Sequence, residues 1–132
     1  MKVLFVCTGN AHRSPLAEAL LKNARPDWIV ESAGLDVAIP IAVEVKRYLA
    51  KENAEQYLKK VPESMHGKML ASYDIIIAME NRHKDYILAI CPQCASKIIV
   101  WNIEDPYFLP ADEVVKVYDQ IKKKVWALAG LH

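Results

Sequence analysis

The sequence has no excess of charge of either sign. Its 132 residues include 17 basic and 16 acidic side chains, which leaves a formal net charge of +1. A protein that binds nucleic acid through its phosphates concentrates lysine and arginine, and an acidic tail concentrates carboxylates. We therefore expect neither a nucleic-acid partner nor an acidic tail.

Long hydrophobic runs are missing as well. No apolar stretch approaches the roughly 20 residues that cross a bilayer as a helix, and the chain opens with a strand-like segment instead of a signal-peptide pattern. These features predict a cytoplasmic protein without a membrane partner. The length suffices for one compact domain with a core, and we assign this domain to residues 1–132. We expect the protein to be a monomer.

Cysteine is scarce, since three residues do not make a disulfide framework. Cys91 and Cys94 are spaced as a Cys-x-x-Cys pair, but no second pair completes a four-thiolate zinc site. A zinc ion would need His83 or another chain, so we expect no metal and no cofactor. Incidental thiols and a disulfide or redox role both remain open for the pair. His66, His83 and His132 show no ligand spacing and are expected to be solvated or locally bonded.

The most informative segment lies near the start of the chain. Val3–Val6 is a short β-branched and aromatic run, typical of a strand that is buried on both faces, and it ends at Cys7. Ser14 and Pro15 then resemble a helix start, because serine is a favoured N-cap and proline suits the first helical position. Residues 7–13 are therefore predicted to form a loop that connects a strand to a helix.

A loop of this kind is suited to bind a tetrahedral anion. Its backbone N–H groups and the positive end of the helix dipole point at one place, which Cys7 is expected to face. The helix start and Arg13 both favour the thiolate form of Cys7. The planar guanidinium of Arg13 matches two phosphate oxygens, and Ser14 is placed to donate its hydroxyl to the sulfur. The pattern predicts a thiolate nucleophile beside a phosphate site.

The phosphate-binding loop is assigned to the five residues between the cysteine and the arginine, Thr8, Gly9, Asn10, Ala11 and His12. Gly9 permits an unusual backbone angle or a close approach of the ligand. Asn10 tolerates left-handed geometry and can brace the loop with its amide. We expect His12 to point away from the anion, because backbone N–H groups hold it.

Strand-like and helix-like segments alternate along the chain, which predicts a parallel sheet with helices on both faces. The predicted strands are 2–6, 28–32, 74–78 and 97–101, and the predicted helices are 15–25, 41–51, 64–71, 81–90 and 111–129. Ligands of such sheets bind beyond the carboxyl ends of the strands, where Cys7 lies. Asp105 follows the last strand and is expected at the same edge.

Three motifs together resemble the low-molecular-weight protein tyrosine phosphatase family. The family's loop has the form C-x-G-N-x-C-R-S-P, and residues 7–15 here read C-T-G-N-A-H-R-S-P. A Ser-Ala-Gly turn stands at Ser32–Gly34, and an Asp-Pro-aromatic motif begins at Asp105. The resemblance implies a three-layer α/β/α fold whose four parallel strands have the order 2-1-3-4. It also implies hydrolysis of a phosphorylated protein or small aryl phosphate through a phosphocysteine intermediate, without a metal.

The resemblance also implies roles for residues outside the loop. Asp105 is joined to proline as in the family, so the resemblance assigns it as the general acid in preference to Glu104. Tyr107 and Phe108 become candidates for the rim of the pocket, and Ser32 is expected to brace Asn10 from the adjacent strand.

Two departures from the family pattern keep alternatives open. The family often has a second cysteine at the position of His12, so the protective disulfide of that cysteine with the nucleophile is not possible here. Ala11 replaces the larger aliphatic residue of tyrosine-specific members and the threonine of arginine phosphatases, so a protein-arginine phosphatase is an alternative. A thiol-dependent arsenate reductase is a weaker one, because Cys91 and Cys94 look badly placed to relay a disulfide from Cys7.

Overall fold

The computed structural model describes residues 1–131, and the prediction for His132 lies outside them. Its strands are β1 (Lys2–Cys7), β2 (Ile29–Gly34), β3 (Ile75–Ala78) and β4 (Ile98–Val100). Its α-helices are α1 (Arg13–Ala24), α2 (Val43–Lys51), α3 (Asn81–Ile90) and α4 (Ala111–Leu128). The strands form one parallel sheet in the order β2-β1-β3-β4. This confirms the order that the family resemblance implied.

The central strand β1 is covered on both faces, which explains its continuous apolar run. Val3, Phe5 and Cys7 face a core cluster that includes residues of α1, α2 and α4. Leu4 and Val6 face a second cluster, which contains residues of α3 and of the short turns around it. Alternate side chains of a strand point to opposite faces, so both faces of β1 are buried.

The register of the sheet brings the strand ends to one edge. Cys7 pairs with Gly34 of β2, and Val6 pairs with Ala78 of β3. A Cβ atom on Gly34 would lie only 2.8 Å from the backbone N of Asn10 and 2.8 Å from the carbonyl O of Thr8. Any larger residue at Gly34 therefore requires the loop after β1 to move.

The start of α1 differs from the expectation. The helix begins at Arg13, and its N-cap residue His12 makes no side-chain cap hydrogen bond. Ser14 is therefore not the N-cap residue, and its hydroxyl contacts Cys7 instead. A polar side chain that serves the loop in this way is not available to cap the helix.

Two other segments also differ from their predictions. The proposed helix over 64–71 is replaced by two single 3₁₀ turns, Met65–Gly67 and Leu70–Ser72. The last strand, predicted over 97–101, spans only Ile98–Val100, and as an edge strand β4 leaves Ile99 45% exposed. An edge position leaves one side of the strand unpaired, and hydrophobic composition alone does not reveal it.

The two remaining cysteines are bonded to each other. Cys91 follows α3 and Cys94 lies in the next 3₁₀ turn, with a Cα–Cα distance of 5.4 Å. The sequence left this pairing open. Both residues belong to the second core cluster, on the face of the sheet opposite to that of Cys7. Among residues 1–131, no helix combines the length and apolar character needed to cross a membrane.

Candidate active site

A cavity of about 260 Å³ opens at the carboxyl end of β1. Three chain segments line it, namely the loop after β1, the segment after β2 and the loop after β4. The lining residues are Cys7, Thr8, Gly9, Ala11, His12, Arg13, Asp36, Ala38, Ile39, Asp105 and Tyr107. The sheet thus brings the predicted nucleophile, arginine and acid to one cavity, although they are distant in sequence.

Cys7 is buried at the base of this cavity, with 2% of its surface exposed. Its Sγ lies 2.9 Å from Oγ of Ser14, and Nδ2 of Asn10 donates to the same Oγ at 2.8 Å. Because an amide nitrogen donates only, Ser14 is left to direct its own hydrogen to the sulfur. A hydrogen bond donated to sulfur stabilises the thiolate.

The side chain of Asn10 braces the loop from behind. Asn10 adopts a left-handed conformation with φ 52°, as its residue type allows. Its Nδ2 also donates to Oγ of Ser32 at 2.9 Å, and its Oδ1 accepts the backbone N–H of Glu63 at 2.8 Å. The predicted contact between Ser32 and Asn10 is present. Gly9, in contrast, does not have positive φ, which leaves a close approach of the ligand as its predicted use.

Arg13 is almost fully buried, and one end of its guanidinium is fixed by the protein. Nη1 donates to Oε2 of Glu80 at 2.6 Å and to the carbonyl O of Ile103 at 2.7 Å. Nη2 lies 3.4 Å from Oγ1 of Thr8 and 3.8 Å from Oδ2 of Asp105, both of which line the cavity. The fixed end orients the other end toward the place where an anion would bind.

Sequence reasoning missed Glu80 and the role of His83. Burial alone would raise the pKa of Glu80, but the hydrogen bonds from Arg13 and Arg82 and their charges lower it below its usual value. The carboxylate is therefore ionised and able to balance the buried charge of Arg13. A signal was available, because Glu80 follows β3 at the same edge of the sheet as Cys7.

His83 supports the loop from α3. Its Nδ1 accepts the backbone N–H of Glu80 at 3.1 Å, so Nε2 carries the hydrogen and donates to Oγ1 of Thr8 at 3.0 Å. Burial, followed by the nearby charge of Arg13, lowers the pKa of His83 to about 4. The ring is neutral at pH 7, and it is locally bonded as expected.

The predicted acid lies in a more open environment. The side chain of Asp105 is 47% exposed, and its Oδ1 accepts the backbone N–H of Tyr107 at 3.0 Å. Glu104 is exposed and does not line the cavity. Tyr107 lines the cavity, but Phe108 is 92% exposed and packs edge-on against Tyr107 with ring centroids 4.6 Å apart. Phe108 therefore does not line the cavity itself but packs against Tyr107, which does.

His12 is held by α4. Its Nδ1 lies 2.6 Å from the hydroxyl O of Tyr118, and burial lowers the pKa of the imidazole. The residue lines the cavity, but this hydrogen bond turns the Nδ1 edge of the ring toward the core. Asp36, Ala38 and Ile39 also line the cavity and were missed, although their position directly after β2 places them at the same edge of the sheet.

Comparison with known proteins identifies the family. A family model described as low molecular weight phosphotyrosine protein phosphatase matches residues 2–131. The chain belongs to this family. The low molecular weight protein-tyrosine-phosphatase Wzb of Salmonella typhi is 33% identical over 144 residues, covering 97% of this chain and 93% of the relative. The protein is thus an enzyme of the protein tyrosine phosphatase kind.

Solved structures of the family have the same fold. Wzb of Vibrio vulnificus in complex with benzylphosphonate superimposes with a TM-score of 0.87 at 25% identity, covering 98% of this chain and 97% of the other. The YwlE arginine phosphatase from Geobacillus stearothermophilus gives a TM-score of 0.87 at 28% identity, covering 98% and 90%. An arginine phosphatase is thus among the solved structures that share this fold.

Proposed function

We propose that this phosphatase hydrolyses phosphotyrosine in proteins, or small aryl phosphates, through a phosphocysteine at Cys7. The observation that carries the proposal is the convergence of Cys7, Arg13 and Asp105 on one cavity of about 260 Å³. The proposal includes a single phosphatase domain over residues 1–132 that acts as a monomer. We also propose that the enzyme acts in the cytoplasm, because its nucleophilic thiol has to stay reduced and the cytoplasm is a reducing compartment.

In the first step the Cys7 thiolate attacks phosphorus, so that a P–S bond forms while the bond to the leaving oxygen breaks. Arg13 and the backbone N–H groups of residues 8–13 bind the three non-bridging oxygens. Asp105 gives its proton to the leaving phenolate oxygen. The arginine and the loop dipoles supply positive charge where a metal would otherwise be needed.

In the second step a water molecule displaces the sulfur. The Asp105 carboxylate, now deprotonated, takes a proton from this water as its oxygen attacks phosphorus. The P–S bond breaks, inorganic phosphate leaves and the Cys7 thiolate is restored. Ser14, 2.9 Å from Sγ, stabilises the departing thiolate by donating its hydroxyl.

Protein-arginine phosphatase activity is the second candidate, and two observations favour it. Ala11 contributes only a methyl group to the wall of the cavity, and Asp36 adds an acidic residue to the lining beside Asp105. Acidic residues attract the cationic guanidinium of phosphoarginine, whereas they have no such attraction for the uncharged phenyl ring of phosphotyrosine. The nucleophile and the arginine would keep the same roles on a P–N bond.

The deciding experiment compares the turnover of two versions of one peptide, one with phosphotyrosine and the other with phosphoarginine, and uses a neutral aryl phosphate as the control. Each assay is repeated after exhaustive chelation of metals. We expect the higher kcat/KM for phosphotyrosine, and no loss on chelation. A higher value for phosphoarginine would establish the second candidate. Loss of activity on chelation that added metal restores would contradict the metal-free mechanism.

A further inference from the structure

Lys59 lies behind the phosphate-binding loop and is almost completely buried. Its side chain is 8% exposed, which is unusual for a lysine. Its Nζ donates to Oδ1 of Asn10 at 2.8 Å, to the carbonyl O of Ser32 at 2.9 Å and to Oε1 of Glu63 at 2.8 Å. A buried ammonium is costly unless its donors are matched in this way.

A continuous chain of hydrogen bonds runs from this ammonium to the nucleophile. Lys59 donates to Oδ1 of Asn10, Nδ2 of Asn10 donates to Oγ of Ser14 at 2.8 Å, and Oγ of Ser14 lies 2.9 Å from Sγ of Cys7. Each bond in the chain has its donor on the Lys59 side. The sulfur is the final acceptor.

Lys59 and the backbone N–H of Glu63 together decide which way the amide of Asn10 points, because both donate to its Oδ1 at 2.8 Å. An ammonium has no acceptor, so only the carbonyl oxygen of the amide can face it. The amide nitrogen is thereby directed to Ser14, and the hydroxyl of Ser14 is left with the sulfur as its acceptor. Hydrogen bonds in such a chain polarise one another in a buried environment, so the positive charge strengthens the last bond.

We propose that Lys59 is a positioning residue, whose ammonium helps to orient the Asn10 amide and whose charge polarises the hydrogen bonds through Asn10 and Ser14, so that Cys7 is held as a thiolate. This inference rests on the proposed role of Cys7 as the nucleophile. Lys59 touches neither the sulfur nor the cavity lining, so it acts only through Asn10 and Ser14.

Two carboxylates lie near the ammonium of Lys59. Glu63 bonds Nζ directly, and that hydrogen bond is the largest cause of the lowered pKa of Glu63. Glu18 Oε1 lies farther away, 3.9 Å from Nζ, and accepts a hydrogen bond from Oγ of Ser32 at 2.5 Å. Lys59 thus carries its charge on the side of the loop that faces away from the phosphate.

The test is the pH dependence of Cys7 alkylation by iodoacetamide, which reports the thiolate without requiring turnover. Lys59→Met removes the charge and the donors, Lys59→Gln keeps an amide NH2 donor group without the charge, and Lys60→Met alters the exposed neighbour as a control. We expect the alkylation midpoint of Lys59→Met to lie about one pH unit above that of the wild type, which lowers alkylation about tenfold at pH values well below both midpoints. Lys59→Gln should shift in the same direction, and Lys60→Met should match the wild type.

The acid limb of the kcat/KM profile for an aryl phosphate should move with the alkylation midpoint. Alkylation profiles of Lys59→Met and Lys59→Gln that coincide with the wild type would overturn the inference, even if activity fell. If Lys59→Met does not fold, the Lys59→Gln profile decides alone. A wild-type protein that is alkylated at Cys7 but hydrolyses no phosphate ester would contradict the proposed function. The alkylation profiles of the Lys59 variants would still decide whether Lys59 stabilises the thiolate.

Discussion

Two of the three segments that line the active site, the one after β1 and the one after β4, differ sharply in how firmly the protein holds them. In the loop after β1 and the first turn of α1, Asn10, Arg13 and Ser14 are each no more than 2% exposed, and each makes side-chain hydrogen bonds to other segments. In the loop after β4, Asp105 is about half exposed and Phe108 almost fully exposed. The phosphoryl group thus meets a preorganised site, whereas the leaving group meets an open one.

This difference has a physical consequence for substrates. Every phosphate ester presents the same tetrahedral group to the buried loop, so changes there should affect all substrates alike. The open side contacts the part of the substrate that varies. Changes at Asp105 should therefore depend on the leaving group.

The largest effect is expected for Cys7→Ser. The nucleophile is lost, so turnover of every phosphate ester should disappear, while the loop donors remain and bind an oxyanion such as phosphate or tungstate. Kinetics with an aryl phosphate and calorimetric titration with the oxyanion measure the two properties separately. Retained hydrolysis by the purified variant would remove Cys7 from the mechanism.

Asp105→Asn should separate the two loops most clearly. A poor leaving group such as tyrosine phenolate needs a proton in the transition state, and general acid help is worth roughly a hundred- to ten-thousandfold. The first chemical step should fall by this order for phosphotyrosine and by much less for nitrophenyl phosphate. The burst of released phenol isolates this step from hydrolysis of the phosphoenzyme.

Glu104→Gln is the matched control for that experiment, because the neighbouring carboxylate is exposed and does not line the cavity. We expect it to leave both substrates unaffected. If Glu104→Gln shows the dependence on the leaving group and Asp105→Asn does not, the acid has been assigned to the wrong neighbour.

Arg13→Lys should slow all substrates by a similar factor. A lysine cannot make the bidentate contact to two oxygens, and loss of an oxyanion-type donor costs on the order of a hundredfold or more. The ratio of kcat/KM between phosphotyrosine and nitrophenyl phosphate should stay near its wild-type value. Near-normal rates would show that Arg13 does not bind the phosphoryl group.

The smallest effect concerns acid stability and His83. In the unfolded chain this imidazole takes up a proton below pH 6.5, but in the folded protein only near pH 4. The unfolded state binds more protons in that window, so the free energy of unfolding should fall as the pH drops from about 6.5 to 4, by roughly 1.4 kcal/mol per pH unit. Urea unfolding at several pH values measures this slope. His83→Gln should make it shallower, and an unchanged slope would contradict the buried neutral imidazole.

The loop after β1 was predictable because its residues are contiguous. Residues 7–15 carry the nucleophile, the arginine and the helix start within one short segment, so local rules apply to them. Ser14 shows the limit of such rules, since the same residue type suits an N-cap and a bond to Cys7. Only the packed structure shows that the hydroxyl serves the sulfur.

The supporting residues were missed for a different reason. Glu80 reaches Arg13 across 67 positions of sequence, and Lys59 reaches Asn10 across 49. Such contacts depend on the sheet order and on the path of irregular segments, which hydrophobic periodicity does not encode. The disulfide between Cys91 and Cys94 depends on the turn after α3 in the same way.

The central claim is that the phosphoryl group passes through the sulfur of Cys7. Its most direct test is to mix the wild-type enzyme with an aryl phosphate, quench it by rapid denaturation and locate the bound phosphorus by ³¹P NMR and peptide mass spectrometry. The account predicts phosphorus bonded to sulfur on the peptide that contains Cys7, at an amount that matches the burst of released phenol. A full burst without phosphorus on that peptide, or with phosphorus on another residue, would contradict it.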